Sequence, residues 1–343
     1  MSSRIRFLLP LIALAGLLPA GCGSDEPEPE AAPPAAAGAP FPATVGHKFG
    51  TTTVEREPER IAVVGLTEQD TVLALGSTPI ATTEWYGEQP YAVWPWARTA
   101  LGDAKPTVLS AADGFDFEKI ATLRPDLIIG TNSGMKERDY EKLSRIAPTI
   151  ASAAGSTDYF SPWEEQVELI GQALGKPDEA EALVRRVKDR YAAVAAEHPE
   201  FEGKTATFSQ NGFYDGLLYV YPEGLNTEFL TYLGFEMNPK ITALAKERGQ
   251  QVGISAERLD TIDADVIVFA TEKPGDVGRL FDEPTFGLLD AVAGDRAVYT
   301  DGTLAGALYF MSPLSLEYAL ERLAPQLQAA VDGEAPRQVV GDA

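Results

Sequence analysis

Short apolar runs alternate with amphipathic stretches along most of this chain, and Gly and Pro punctuate both. Ile61-Ala62-Val63-Val64, after Pro58-Glu59-Arg60, has the length and branched content of a buried strand. Residues 67–75 read as a helix, with Thr67 as N-cap and Gly76 as stop. Residues 79–83 look like the next strand, 117–123 a short helix, and Leu127-Ile128-Ile129 another strand. This β-α-β-α-β order predicts a parallel sheet with helices on its faces.

The same phrase then returns. Phe117-Glu118-Lys119-Ile120 is followed by Pro125-Asp126-Leu127-Ile128-Ile129; Ala256-Glu257-Arg258-Leu259 is followed by Ala264-Asp265-Val266-Ile267-Val268. A helix, a turn and a buried strand are used once per half, which predicts two similar α/β lobes. Between them, residues 163–174 and 178–197 read as helices. The second carries Ala182, Leu183, Val187, Tyr191 and Val194 at three- and four-residue spacing. Twenty residues of helix span about 30 Å, a strut rather than a flexible hinge, about which the lobes would rock slightly.

The first residues are of another kind. Arg4 and Arg6 precede the nearly unbroken apolar run 7–18, the pattern of an export signal. Its end, Leu18-Pro19-Ala20-Gly21-Cys22, resembles the bacterial lipoprotein signal, which implies acylation of Cys22 and cleavage before it; the alternative is an ordinary cleaved signal with a chance cysteine. Two or more acyl chains would anchor stably where one would not. Cys22 is the only cysteine in the chain, so no internal disulfide supports the fold. The Pro-, Ala-, Glu- and Gly-rich stretch after it cannot bury enough surface to fold and reads as a spacer. The expected division is a signal peptide at 1–21, a tether at 22–45, a first lobe at 46–162, a connecting helical region at 163–198, a second lobe at 199–335 and a tail at 336–343.

The charge of −23 becomes −25 once Arg4 and Arg6 are removed with the signal, which argues against nucleic acid as a partner. Only two histidines are present, His47 near the tether and His198 after the connector, both expected to be exposed and inert. A receptor for bare metal needs several protein ligands, usually including histidine. Nothing marks an enzyme: there is no phosphate-cradling glycine loop, no nucleophile–histidine pair, and no pair of acids set apart from the rest.

Pro58-Glu59-Arg60-Ile61, Leu73-Ala74-Leu75-Gly76, Leu123-Arg124-Pro125-Asp126-Leu127-Ile128, Ile146-Ala147-Pro148-Thr149, Ser255-Ala256-Glu257-Arg258-Leu259 and Pro313-Leu314-Ser315 together resemble the periplasmic binding proteins of iron-siderophore, haem and cobalamin importers. Val93-Trp94-Pro95-Trp96-Ala97 followed by Leu101-Gly102-Asp103 is most similar to the siderophore-binding lipoproteins of Gram-positive bacteria. The resemblance runs from about residue 50 to 330. It implies an α/β fold of two similar lobes on parallel sheets, joined by one spine helix, with the ligand in a shallow cleft between them. It implies a monomer without cofactor or catalytic residues, anchored through Cys22 to the outer face of the cytoplasmic membrane. Its cargo would be a ferric siderophore passed to the permease of an ABC importer. It also implies that Glu118 and Glu257, one per lobe, dock onto arginines of that permease; each glutamate could instead simply favour the first turn of its helix.

A ferric siderophore brings its own iron ligands, so the protein need only hold its outer surface with aromatic faces and a few donors. Glu84 to Arg98 reads EWYGEQPYAVWPWAR, too broken for a core strand or helix, and looks like a loop after a parallel strand. Such loops bind ligands in open α/β sheets, which nominates Trp85, Tyr86, Trp94 and Trp96; alternatively these rings cover the core of their own lobe. Some relatives place a pocket arginine before the helix at Phe117, but residues 102–115 hold none. Arg98 and Arg248 are the substitutes, a surface salt bridge being the other role open to each. Asn132 and Met135, where relatives often have an aromatic, should face the cleft at the next strand end. Tyr214, Arg248, Gln250, Tyr309 and Met311 are the candidates from the second half, with core or rim roles as alternatives. Haem stays open through an axial Tyr86, Tyr214 or Tyr309, cobalamin without a specific signal, and a ligand-free envelope adaptor as a third class. Acidic charge and sparse arginine lean toward hydroxamate or mixed-ligand siderophores.

Overall fold

The computed structural model describes residues 40–156, 159, 161–246, 250–273 and 275–339. The signal at 1–21, Cys22, the tether as far as residue 39, Arg248 and the last four residues of the tail lie outside them.

The first lobe opens with an antiparallel hairpin of β1 (Ala43–His47) and β2 (Gly50–Val54). Val45 and Val54 are buried on its inner face while alternate residues are exposed, the pattern of a sheet with one wet side. Residues 43–45, expected to close the tether, belong to this hairpin instead: two alternating positions were too few to stand out against the surrounding Pro and Ala. His47 shares that inner face. It is 4% exposed, with Nε2 2.9 Å from Thr52 Oγ1 and its ring edge-on to Tyr140. The expectation of an exposed His47 is corrected.

β3 (Ile61–Val63), β4 (Pro79–Glu84), β5 (Thr107–Ser110), β6 (Leu127–Gly130) and β7 (Thr149–Ala151) form a wholly parallel sheet in the order β5-β4-β3-β6-β7. The helices of this lobe are α1 (Glu68–Ala74), α2 (Pro95–Leu101), α3 (Phe117–Thr122) and α4 (Glu137–Leu143). The Trp-rich segment is thus partly helical, because Pro95 stands at the first helical position, where its fixed φ is suited and its missing N–H costs nothing.

Then come α5 (Trp163–Ala173) and α6 (Pro177–Glu197), parted by Gly175 at φ +67°. α6 buries Ala180, Leu183, Val187 and Tyr191 along one stripe. Its outer face pairs Arg186 and Arg190 with Glu317 and Glu321.

The second lobe has β8 (Thr205–Gln210), β9 (Leu217–Tyr221), β10 (Glu236–Met237), β11 (Val252–Ser255), β12 (Val266–Ala270) and β13 (Ala297–Tyr299). Its sheet runs β11-β9-β8-β12-β13, with β10 also on β8. β9 is antiparallel to both β8 and β11, so this sheet is mixed rather than parallel throughout. The cause is a two-residue hairpin turn. Asp215 (φ +50°) and Gly216 (φ +75°) are both left-handed, and Tyr214 and Leu217 exchange hydrogen bonds of 2.8 and 3.1 Å. Its helices are α7 (Glu228–Thr231), α8 (Pro239–Leu244), α9 (Asp276–Phe281), α10 (Asp290–Ala293), α11 (Gly302–Phe310) and α12 (Pro313–Val331).

The repeated phrase has a physical basis. Asp126, just before β6, accepts from the N–H groups of Glu59 and Arg60 (3.0 and 2.8 Å), which lead into the neighbouring β3. Asp265, just before β12, accepts from Thr205 N–H (2.8 Å), which starts the neighbouring β8. Each aspartate pins the entry of the strand beside its own. The helical part differs, since residues 256–262 form a 3-10 turn kinked at Arg258.

The lobes share one apolar core that runs from Val45, Ile61 and Ile129 to Phe208, Val268 and Leu316. α12 completes the tie, packing on α1 and α2 of the first lobe as well as on α6 and α11. The tail is bound back as far as it is described, with Arg337 reaching Asp295 (2.5 Å) and the Ala293 carbonyl (3.0 Å).

Candidate functional site

A cleft of about 760 Å³ lies between the lobes, within the range of small-molecule sites. Its first-lobe wall comes from the carboxyl ends of parallel strands: Leu66 and Thr67 after β3, Trp85 and Tyr86 after β4, Asn132 after β6, and Tyr159 and Ser161 after β7. This is where side chains of an open α/β sheet meet a ligand. Trp163 and Gln166 of α5 join them. The second-lobe wall has Gln210 and Tyr221 at the ends of β8 and β9, then Leu225, Asn226 and Glu228. Gln250 and Gln251 precede β11, Glu272 follows β12, and residues 308–311 close α11.

The first wall is held by a buried carboxylate. Glu68 accepts from Asn132 N–H (2.6 Å) and Thr67 N–H (2.9 Å), which ties the loops after β3 and β6 together. It lies so close under Gly65 that a Cβ there would come within 1.9 Å of Oε1. Burial raises its affinity for a proton against the pull of those bonds. Asn132 Nδ2 donates to Thr67 Oγ1 (3.1 Å), and Trp85 Nε1 to the Leu66 carbonyl (2.9 Å). On the other wall Gln251 donates to Gln210 (2.7 Å) and Tyr309 to the Ala270 carbonyl (3.3 Å).

Trp85, Tyr86, Asn132, Gln250, Tyr309 and Met311 therefore line the cleft. Trp94, Trp96, Arg98, Met135 and Tyr214 do not. Trp94 is 3% exposed, stacks between Tyr86 and Trp96 (ring centroids 5.4 and 5.0 Å), and rests on α11, where a Cβ on Gly306 would meet its ring at 2.6 Å. Phe310 of the second lobe packs against Trp85, Trp94 and Trp96 at 5.3–5.8 Å. The aromatic segment is thus neither all ligand wall nor a cover for its own lobe. It is a seam between lobes, and Trp85 and Tyr86 are its cleft end. Trp96 Nε1 donates to the buried Asp70 of α1 (2.6 Å), which also takes a bond from Ser312, the N-cap of α12 (2.5 Å). Arg98 is turned to Gln89 Oε1 (2.6 Å) at the surface. Met135 is buried with Ile128, Leu143 and Ala151, because the turn at Ser133-Gly134 folds it back over the sheet. Tyr214, at the hairpin tip, is 75% exposed and lines an adjoining depression with Phe213, Tyr219 and Arg279, which shares Gln210, Gln251 and Glu272 with the cleft.

The chemistry of the cleft is aromatic, amide and acidic. Among the described lining residues there is no Lys, Arg or His, while Glu228 and Glu272 contribute carboxylates. Burial, with Asp276 nearby, pushes the Glu272 carboxyl up, a shift that the Tyr86 phenol of the opposite lobe partly opposes. Burial holds the phenols of Tyr86 and Tyr309 well above the usual range and pushes Tyr221 up to about 12. Sequence reasoning missed Tyr159, Ser161, Glu228 and Glu272; only Glu272, directly after the apolar run of β12, had a positional signal. On the outer surface, Glu118 and Glu257 are exposed at equivalent places of the repeated unit, in the first turns of α3 and the 256–262 helix.

Two α/β lobes on a shared core, meeting at a preformed cleft lined by strand ends, define a receptor for a small solute. The chain belongs to the Periplasmic binding protein family, whose model matches residues 61–304. It is 39% identical to a periplasmic solute binding protein from Mycobacterium smegmatis str. MC2 155, over 84% of this chain and 98% of that one, with a TM-score of 0.78. PiaA of Streptococcus pneumoniae TIGR4, solved in complex with ferrichrome, is 26% identical over 85% of this chain and 99% of that one, with a TM-score of 0.73. The Fe(3+) dicitrate-binding periplasmic protein FecB of Escherichia coli (strain K12) is 30% identical over 160 residues, 47% of this chain and 51% of that protein, so the match spans about half of each.

Proposed function

We propose that this protein captures a ferric siderophore outside the cytoplasm and delivers it to an ABC importer. The observation that carries the reading is the interlobe cleft, about 760 Å³, walled by Trp85, Tyr86, Tyr309 and a set of amides. Such a surface suits a bulky complex whose iron is already coordinated. Hydroxamate or mixed-ligand complexes fit better than anionic catecholates, because Glu228 and Glu272 would repel added negative charge. Haem fits less well. Of the candidate axial tyrosines, Tyr86 and Tyr309 line the cleft, and burial favours their protonated forms, whereas an axial tyrosine binds iron as the anion. Cleavage before Cys22 and acylation of its thiol would hold the protein at the outer face of the membrane, with residues after it as spacer. Glu118 and Glu257 would dock the loaded protein on the permease.

Thermal unfolding tests the reading. Iron-loaded ferrichrome or ferrioxamine B at a hundredfold excess over Kd should stabilise the protein by about 2.7 kcal/mol, and the iron-free compounds should not. Stabilisation by haemin or cyanocobalamin instead would move the function to those ligands.

A further inference from the structure

The cleft carries a charge that its cargo must meet. Glu272 lies on the second-lobe wall, and Asp276 beside it is fully buried and committed elsewhere. Asp276 accepts from the N–H groups of Glu272 and Lys273 (2.9 and 2.8 Å) and pairs with Arg279. Glu272 itself is favoured in its charged form by the nearby phenol of Tyr86 and the charge of exposed Lys273. Burial and Asp276 both oppose its ionised form. Two further polar atoms line the same cleft without a match. Ser161 Oγ, on a residue 6% exposed, and Asn132 Oδ1 have no partner among the described residues. A carboxylate, an amide oxygen without a partner and a hydroxyl able to accept lie in one cleft, a set that suits a ligand rich in N–H.

We propose that the cleft selects ferric siderophore complexes that carry a free ammonium group, and that Glu272 pairs with it. The inference rests on the siderophore reading and deepens it. An ammonium offers three donors and no acceptor, and a charge-assisted bond to a partly desolvated carboxylate is stronger than a neutral one. Tyr86 of the first lobe lines the same cleft as Glu272, so the pair would form where both lobes touch the ligand.

The test uses two complexes with the same iron centre. Ferrioxamine B bears one pendant ammonium; its N-acetyl derivative bears none. The full chain should bind the ammonium form about tenfold more tightly, a difference of 1.4 kcal/mol. Glu272→Gln should lose that preference by weakening the ammonium form more than the acetylated one, and an unchanged far-UV circular dichroism spectrum reports that it is folded. Equal affinity of the wild type for the two forms, or binding of ferrichrome but of neither ferrioxamine, overturns the inference while the siderophore reading stands. A preference that survives Glu272→Gln overturns the assignment to Glu272. No binding of any of the three complexes overturns the siderophore reading itself. Should Glu272→Gln fail to fold, the wild-type comparison decides alone.

Discussion

Asp70 is a carboxylate with no exposure at the junction of α1, α2 and α12, and replacing it separates its charge from its hydrogen bonds. Burial raises its pKa from 3.8 to about 6, although Trp96 and Ser312 both donate to Oδ2. A folded-state pKa above the unfolded one means that the folded protein binds the proton more tightly. Stability is then greatest below about pH 4 as far as this group is concerned, and is lost as pH rises through 6. Two units correspond to about 3 kcal/mol. In Asp70→Asn the amide oxygen keeps both donors and the charge is gone. The new NH2 takes the place of Oδ1, which has no partner among the described residues, and leaving it unmatched costs about 1–2 kcal/mol. The net expectation is that Asp70→Asn is about 1–2 kcal/mol more stable than wild type at pH 8, with the gap narrowing or reversing by pH 5. Asp70→Ala leaves Trp96 and Ser312 unmatched and should be about 2–3 kcal/mol less stable at either pH. Urea unfolding of the three proteins at pH 5 and 8 measures this. If Asp70→Asn has the same pH dependence as wild type across that window, or is as unstable as Asp70→Ala at pH 8, the reasoning fails.

Further expectations follow from the seam, the wall and the outer surface. Gly306→Ala should cost about 1–3 kcal/mol through overpacking against Trp94, read as a lower Tm; an unchanged Tm would show that the ring moves aside freely. Trp85→Ala, at a residue 38% exposed, should weaken ferric siderophore binding about tenfold or more, an aromatic contact being worth about 1–3 kcal/mol when truncated, with little change in Tm. Equal affinities would remove it from the binding wall. Glu118→Ala with Glu257→Ala should leave the siderophore Kd unchanged and reduce uptake by cells; full uptake would leave both residues only the role of favouring the first turn of their helices.

Much of the frame was legible because it is local. β3, β6 and β12 are runs of branched apolar residues, and α6 shows its buried stripe through Leu183, Val187 and Tyr191. Two misreadings were local as well. Pro95 opens a helix rather than interrupting one, and Asp215-Gly216 is a hairpin turn that reverses β9. The site was legible only in outline. Strand-end loops pointed to Trp85, Tyr86 and Asn132, but whether a tryptophan faces solvent or the partner lobe depends on contacts two hundred residues away, as between Trp94 and Gly306. Glu228 and Glu272 are two among 51 acidic residues; Glu272 follows the apolar run of β12, but that either faces the cleft shows only when the lobes are brought together. Met135 follows a strand end as Asn132 does, yet the turn between them sends one to the core and the other to the cleft.

The cleft end of the seam supplies its own reporter. Trp85 stands on the binding wall, Trp163 lines the same cleft, and Trp94 stacks behind Tyr86. The central claim is tested most directly by titrating the intrinsic tryptophan fluorescence with ferrichrome and ferrioxamine B, each with and without iron, with free tryptophan correcting for absorbance. Saturable quenching by an iron-loaded complex at micromolar or lower concentration, with none from its iron-free form, is the result predicted here. A folded protein that saturates with haemin alone, or with none of these compounds, would contradict the assignment as a ferric siderophore receptor.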